Sequence, residues 1–102
     1  MDLNFKPNEV VLKASDSNCI LGKESINGKL IVTNQRIYFM SGKNSADFKV
    51  LEILPSEIKE VIYFNTKLVL PNGLNLITKL GTSHSFILRR RSEFGGLINK
   101  MY

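Results

Sequence analysis

The chain has 102 residues, 43% of them hydrophobic, and carries 14 Lys and Arg against 9 Asp and Glu, a formal charge of +5. This length is one domain, residues 1–102, and the apolar content is ordinary for a globular protein, which excludes wholesale disorder. No apolar run approaches the roughly 18–20 residues of a membrane span.

The start, Met1-Asp2-Leu3-Asn4-Phe5-Lys6, lacks the basic and apolar regions of a secretion signal. A lone cysteine, Cys19, forms no internal disulfide, so a reducing compartment, by default the cytoplasm, is expected. The lysines are spread along the chain and the one basic cluster is Arg89-Arg90-Arg91. A balance this diffuse suits an anionic partner, and it serves solubility equally well.

A period of two dominates from residue 9 to residue 89. Ile37 and Phe39 alternate with Tyr38 and Met40, Leu51 and Ile53 bracket Glu52, and Phe86 and Leu88 bracket Ile87. Turn chemistry interrupts the runs at Asp16-Ser17-Asn18, Asn27-Gly28, Asn34-Gln35, Ser41-Gly42-Lys43-Asn44, Pro55-Ser56, Asn65-Thr66, Pro71-Asn72-Gly73 and Gly81-Thr82. Strands are expected near 9–14, 18–21, 28–34, 36–41, 47–54, 58–64, 67–71, 73–80 and 83–89. Short strands with frequent turns make an antiparallel sandwich or barrel.

The pattern changes once. Ser92 is placed as an N-cap with Glu93 in the first turn. Phe94, Leu97, Ile98 and Met101 then follow the spacing of one apolar helical stripe. The sheet needs cover at an open end. The helix is expected to plug that end with Phe94, Leu97 and Ile98, and Gly95-Gly96 to permit its close approach to the rim.

The segment Gly28 to Phe39 runs glycine, alternating apolar strand, Thr33-Asn34 turn, Arg36, then a strand with aromatics. It resembles the hairpin of GRAM domains, relatives of pleckstrin-homology (PH) domains. Asn8-Glu9-Val10, Ile53-Leu54-Pro55-Ser56-Glu57-Ile58 and Phe86-Ile87-Leu88-Arg89 with Arg91 and Phe94 are similar to other parts of that family's pattern. The resemblance implies a mainly β, PH-like antiparallel β-barrel of two near-orthogonal sheets capped by one C-terminal helix. It also implies a binding role. In lipid-binding members the phosphate site is at the open barrel end, which here points to Lys23, Lys29 and Lys43. The family's strong phosphoinositide pattern wants a further basic residue where this chain has Ile31.

From the residues alone, the Thr33-Asn34 turn is a folding device: Asn tolerates positive φ, and Arg36 lays its stem across the sheet edge. Neither a metal site nor a catalytic constellation is expected, since His84 and Cys19 stand far apart and the carboxylates are scattered. No cofactor is expected, and no glycine-rich phosphate loop is present. Nucleic acid ranks last among partners, because the aromatics sit at packing positions.

Apolar residues on both faces of two strands, Tyr38 and Met40 against Ile37 and Phe39 and Tyr63 among its neighbours, call for cover. The leading expectation is a non-enzymatic module for protein–protein interaction, with a homodimer through Tyr38, Met40 and Tyr63 as one form. The rival is peripheral docking to anionic membrane lipid through Lys23, Lys29 and Lys43.

Overall fold

The computed structural model describes residues 6–21, 23–41, 50–66 and 70–102. Among these, seven strands precede one helix: β1 (Val11–Leu21), β2 (Glu24–Thr33), β3 (Ile37–Ser41), β4 (Val50–Ile53), β5 (Ile58–Thr66), β6 (Leu70–Thr78), β7 (Ser83–Ile87) and α1 (Arg91–Asn99). A 3-10 turn at Pro55–Glu57 leads into β5. All pairings are antiparallel and the strand order is β4-β3-β2-β1-β7-β6-β5, one continuous ladder.

Two expected turns lie inside strands. Asp16-Ser17-Asn18 and Asn27-Gly28 face each other across β1 and β2, with Ser17 opposite Gly28 and Asn18 opposite Asn27. The expected strands 9–14 and 18–21 are therefore one. Turn-forming composition yields here to tertiary pairing: the buried Ser17 hydroxyl donates to the Ile87 carbonyl at 3.3 Å. Gly28 is needed for close approach, since a Cβ there would stand 2.1 Å from the Met40 backbone oxygen.

Pro71-Asn72-Gly73 is likewise part of β6. Proline is tolerated at the start of a strand, and Gly73 leaves room for the Phe64 ring, 2.4 Å from where its Cβ would be. The expected Ser41-Gly42-Lys43-Asn44 turn after Ser41, and the expected strand segments 47–49 and 67–69, lie outside the described residues.

Inward positions of the strands supply the core. Leu30, Val32, Ile37, Leu74, Leu76 and Phe86 are fully buried, and the rings of Phe39 and Phe86 meet at 5.8 Å. The helix closes this core as expected, with Phe94 and Ile98 fully buried and Leu97 packed partly against it. Its start differs from expectation. Arg90, at φ 23°, occupies the N-cap position with no side-chain cap, and Ser92 is already inside the helix. Glu93 still serves the first turn, within 3.6 Å of both Lys13 and Arg90.

The two helix glycines differ. A Cβ on Gly95 would fall 2.1 Å from the Tyr63 hydroxyl, whereas one on Gly96 meets nothing. Gly96→Ala should therefore stabilise the fold by up to about 1 kcal/mol through helix propensity. Gly95→Ala should lower the melting temperature, because Tyr63 is held by Arg91 stacked 5.1 Å from its ring centroid. Thermal melts of the pair check this, and equal gains would contradict the close approach.

Candidate functional site

The Thr33–Arg36 turn builds a buried ion-pair cluster. Thr33 N–H donates to the Arg36 carbonyl at 2.9 Å, and the Thr33 hydroxyl oxygen accepts from the N–H groups of Gln35 and Arg36. Asn34 does not use positive φ, which among described non-glycine residues occurs at Asn8 and Arg90. Its amide instead ties down the incoming chain, accepting from Val10 N–H and donating to the Asn8 carbonyl.

Arg36 is 6% exposed and does more than lay its stem on an edge. Its Nε and Nη2 donate to the two oxygens of Glu9, each at 2.8 Å, and its Nη1 donates to Glu52. The guanidinium also lies 4.2 Å from the centroid of the Tyr38 ring. Burial by itself would raise the Glu9 pKa, but hydrogen bonds from the Thr33 hydroxyl and Lys6 N–H and the charge of Arg36 hold it below its ordinary 4.5. This cluster positions the chain, tying Glu9 and Glu52 to the turn through Arg36.

It also decides the face read as an interface. Tyr38 is 2% exposed, because Glu9 and Arg36 cover the outer side of β3. Met40 is half-buried. Tyr63 is exposed but lies on β5, at the far end of the strand order, against α1. The shelter is intramolecular, and the three residues do not form one patch.

The lysines are separated too. Lys23 sits between β1 and β2, while Lys29 is six residues on, about 20 Å along an extended strand. Lys29 stands between Asp16 and Met40 in register, in a groove also lined by Asn18, Asn27 and Arg89. The facing Asp16 carboxylate opposes an anion there. Lys43 lies outside the described residues.

The triple arginine disperses: Arg89 joins this groove, Arg90 pairs with Glu93, and Arg91 donates to the Phe64 carbonyl and, at 3.0 Å, to Asn65 Oδ1.

A different set gathers at the end of the barrel where β1 turns into β2. The pairs Asn18–Ile87 and Ile20–Ser85 set the direction of β1 beside β7. That antiparallel register directs the end of β1 and the start of β7 to the same end of the barrel. The β6–β7 connection is a tight turn: Gly81 N–H donates to the Thr78 carbonyl at 3.0 Å, and Gly81 adopts φ 91°.

Lys23, Lys79 and Leu80 are all exposed at this end. Glu57 is near, its carbonyl accepting from Lys79 N–H, but its carboxylate accepts from Leu54 N–H. Glu24, beside Lys23, is exposed. His84 is half-buried, and burial lowers its pKa below 6.5 against the opposing pull of Glu57, so it brings no charge here at neutral pH. Sequence reasoning found the Gly81-Thr82 turn but missed Lys79 and Leu80. The available signal was a leucine set between a lysine and a turn glycine.

Cys19 is buried and burial pushes its thiol up, away from the reactive thiolate. Among the described residues no three His, Cys, Asp or Glu side chains gather as metal ligands, and no helix is long and apolar enough to cross a membrane.

Neither a protein-family model nor a characterised protein matches the sequence. Solved structures do match in shape. The C-terminal domain of an unknown protein from Leishmania infantum superposes with a TM-score of 0.76 at 21% identity, over 91% of this chain and 84% of that one. The Vps36 N-terminal PH domain follows at 0.71 and 14%, over 95% and 84%. The Slm1 PH domain, solved in complex with inositol-4-phosphate, stands at 0.62 and 13%, over 89% and 92%. Likeness at these identities shows the fold alone, and that fold is PH-like.

Proposed function

We propose that the chain is a non-enzymatic binding module of the GRAM branch of PH-like domains, and that it docks on anionic membrane lipid as a peripheral cytoplasmic protein. The observation that carries the reading is that Lys23 and Lys79 are both exposed at the same end of the barrel. Among the described residues neither lysine enters an ion pair. That the Slm1 PH domain was solved with inositol-4-phosphate supports the same class of ligand on this fold. Each such lysine contributes about 1 kcal/mol near an anionic surface, so docking is weak and reversible.

Co-sedimentation with phosphatidylserine vesicles tests it. Binding at low salt should fade towards physiological salt, where charges are screened over about 8 Å. Lys23→Glu with Lys79→Glu should weaken it while leaving the melting temperature nearly unchanged. No binding at low salt overturns the reading.

The outer face of β5–β6–β7 favours a second reading, protein–protein interaction. Strand alternation puts Ile62, Phe64, Ile77 and Ile87 on that face, and Ile62 is 43% exposed. Sedimentation of the wild type and an Ile62→Glu variant tests self-association there. A monomer at high concentration leaves a heterologous protein as the partner for that face.

A further inference from the structure

We infer that Leu80 is a membrane anchor, a side chain that leaves water for the interfacial region of an anionic bilayer when Lys79 and Lys23 meet its headgroups. The inference rests on the lipid-docking reading and adds to it the apolar contact that determines affinity. Leu80 is 92% exposed, whereas the other exposed large apolar residues among those described range from 42% to 59%. Those others sit on strands, just before β1 (Val10) or at the chain end, and are half covered by neighbours. Among the described exposed large apolar residues, Leu80 is the one at the tip of a hairpin.

Folding does not call for leucine at this position. A turn ending in a glycine at positive φ accepts Asn, Asp or Ser there at least as well. The chemistry of the tip is two-part, an apolar branch next to the lysine Lys79, and it matches the two-part chemistry of a bilayer surface. Lysine stems lie along apolar material while their charges stay at phosphate level. Scattered lysines alone bind such a surface weakly, and stable attachment takes a second signal of apolar kind. Leu80 supplies it. Charge complementarity selects the bilayer over an apolar protein pocket, since the chain is +5 overall and both tips carry lysine.

The chain contains no tryptophan, so Leu80→Trp gives a single-site reporter. With vesicles of phosphatidylcholine and phosphatidylserine at low salt, its emission should shift to the blue, and with phosphatidylcholine alone it should not. Leu80→Asn should bind the anionic vesicles about tenfold more weakly, the loss expected when a leucine no longer leaves water. Its melting temperature should equal that of the wild type, because so exposed a side chain supports no packing.

Binding by the wild type with no blue shift and no loss in Leu80→Asn overturns the anchor and leaves lipid docking standing. Absence of wild-type binding overturns docking itself, and the anchor with it.

Discussion

Replacing Arg36 by alanine should destabilise the domain by about 3–5 kcal/mol, the range for removing one partner of a buried ion pair. The physical reason is the carboxylate left behind. The Glu9 side chain is fully buried, and two of its hydrogen bonds come from Arg36. Truncation also uncovers the Tyr38 ring and releases Glu52. Lysine should not rescue, since one ammonium cannot reproduce a two-pronged contact.

Urea denaturation of Arg36→Ala, Arg36→Lys and the double variant Glu9→Leu/Arg36→Leu checks this. The double variant should recover much of the loss, because it buries no orphan charge. Acid should act on the same pair. The folded Glu9 pKa lies below its ordinary 4.5, so the pair's contribution is fully present above that pH and is lost as pH falls through the folded value. A single-alanine loss under about 1 kcal/mol would show that the cluster is peripheral to stability.

Phe94→Ala should cost a similar about 3–5 kcal/mol, for the different reason that it opens a cavity. Phe94 is fully buried, the Lys13 ammonium lies 5.7 Å from its ring centroid, and α1 rests on β5, β6 and β2. Small domains of this kind have only about 5–15 kcal/mol in total, so loss of native near-ultraviolet dichroism at room temperature is a realistic outcome. Leu97→Ala makes the internal comparison: Leu97 is only partly buried, and its loss should be smaller. Equal losses at the two positions would mean that the helix, rather than this ring, carries the closure.

Strand and helix types were legible because they depend on local period. The alternation of Ile37, Tyr38, Phe39 and Met40 gives a strand, and Phe94, Leu97 and Ile98 give a helix that the structure lays on the core. The misread turns were those decided from far away. Asp16-Ser17-Asn18 has turn composition, but Ser17 finds its acceptor at Ile87, and nothing local announces that bond.

Parity told which face Tyr38 takes. It could not tell that Glu9, 29 residues earlier, would come to lie over it. Lys23 and Lys29 look close in sequence, yet extended backbone carries them apart, while Lys79 reaches Lys23's end of the barrel through the β1–β7 pairing. Most of the proposed site is therefore a product of topology, with only Lys23 named in advance.

That β1–β7 seam has a kinetic meaning as well. Every other neighbouring pair of strands is consecutive in the chain, so β1 to β4 and β5 to β7 are two meanders that assemble from nearby segments. The seam joins them through three residue pairs, and 70 residues separate Ser17 from the carbonyl it binds. Closing so long a loop is entropically demanding, and the contacts that offset it are those between the two meanders. That cost is expected to fall on the docking of the two meanders along β1, a step that stopped-flow refolding would time.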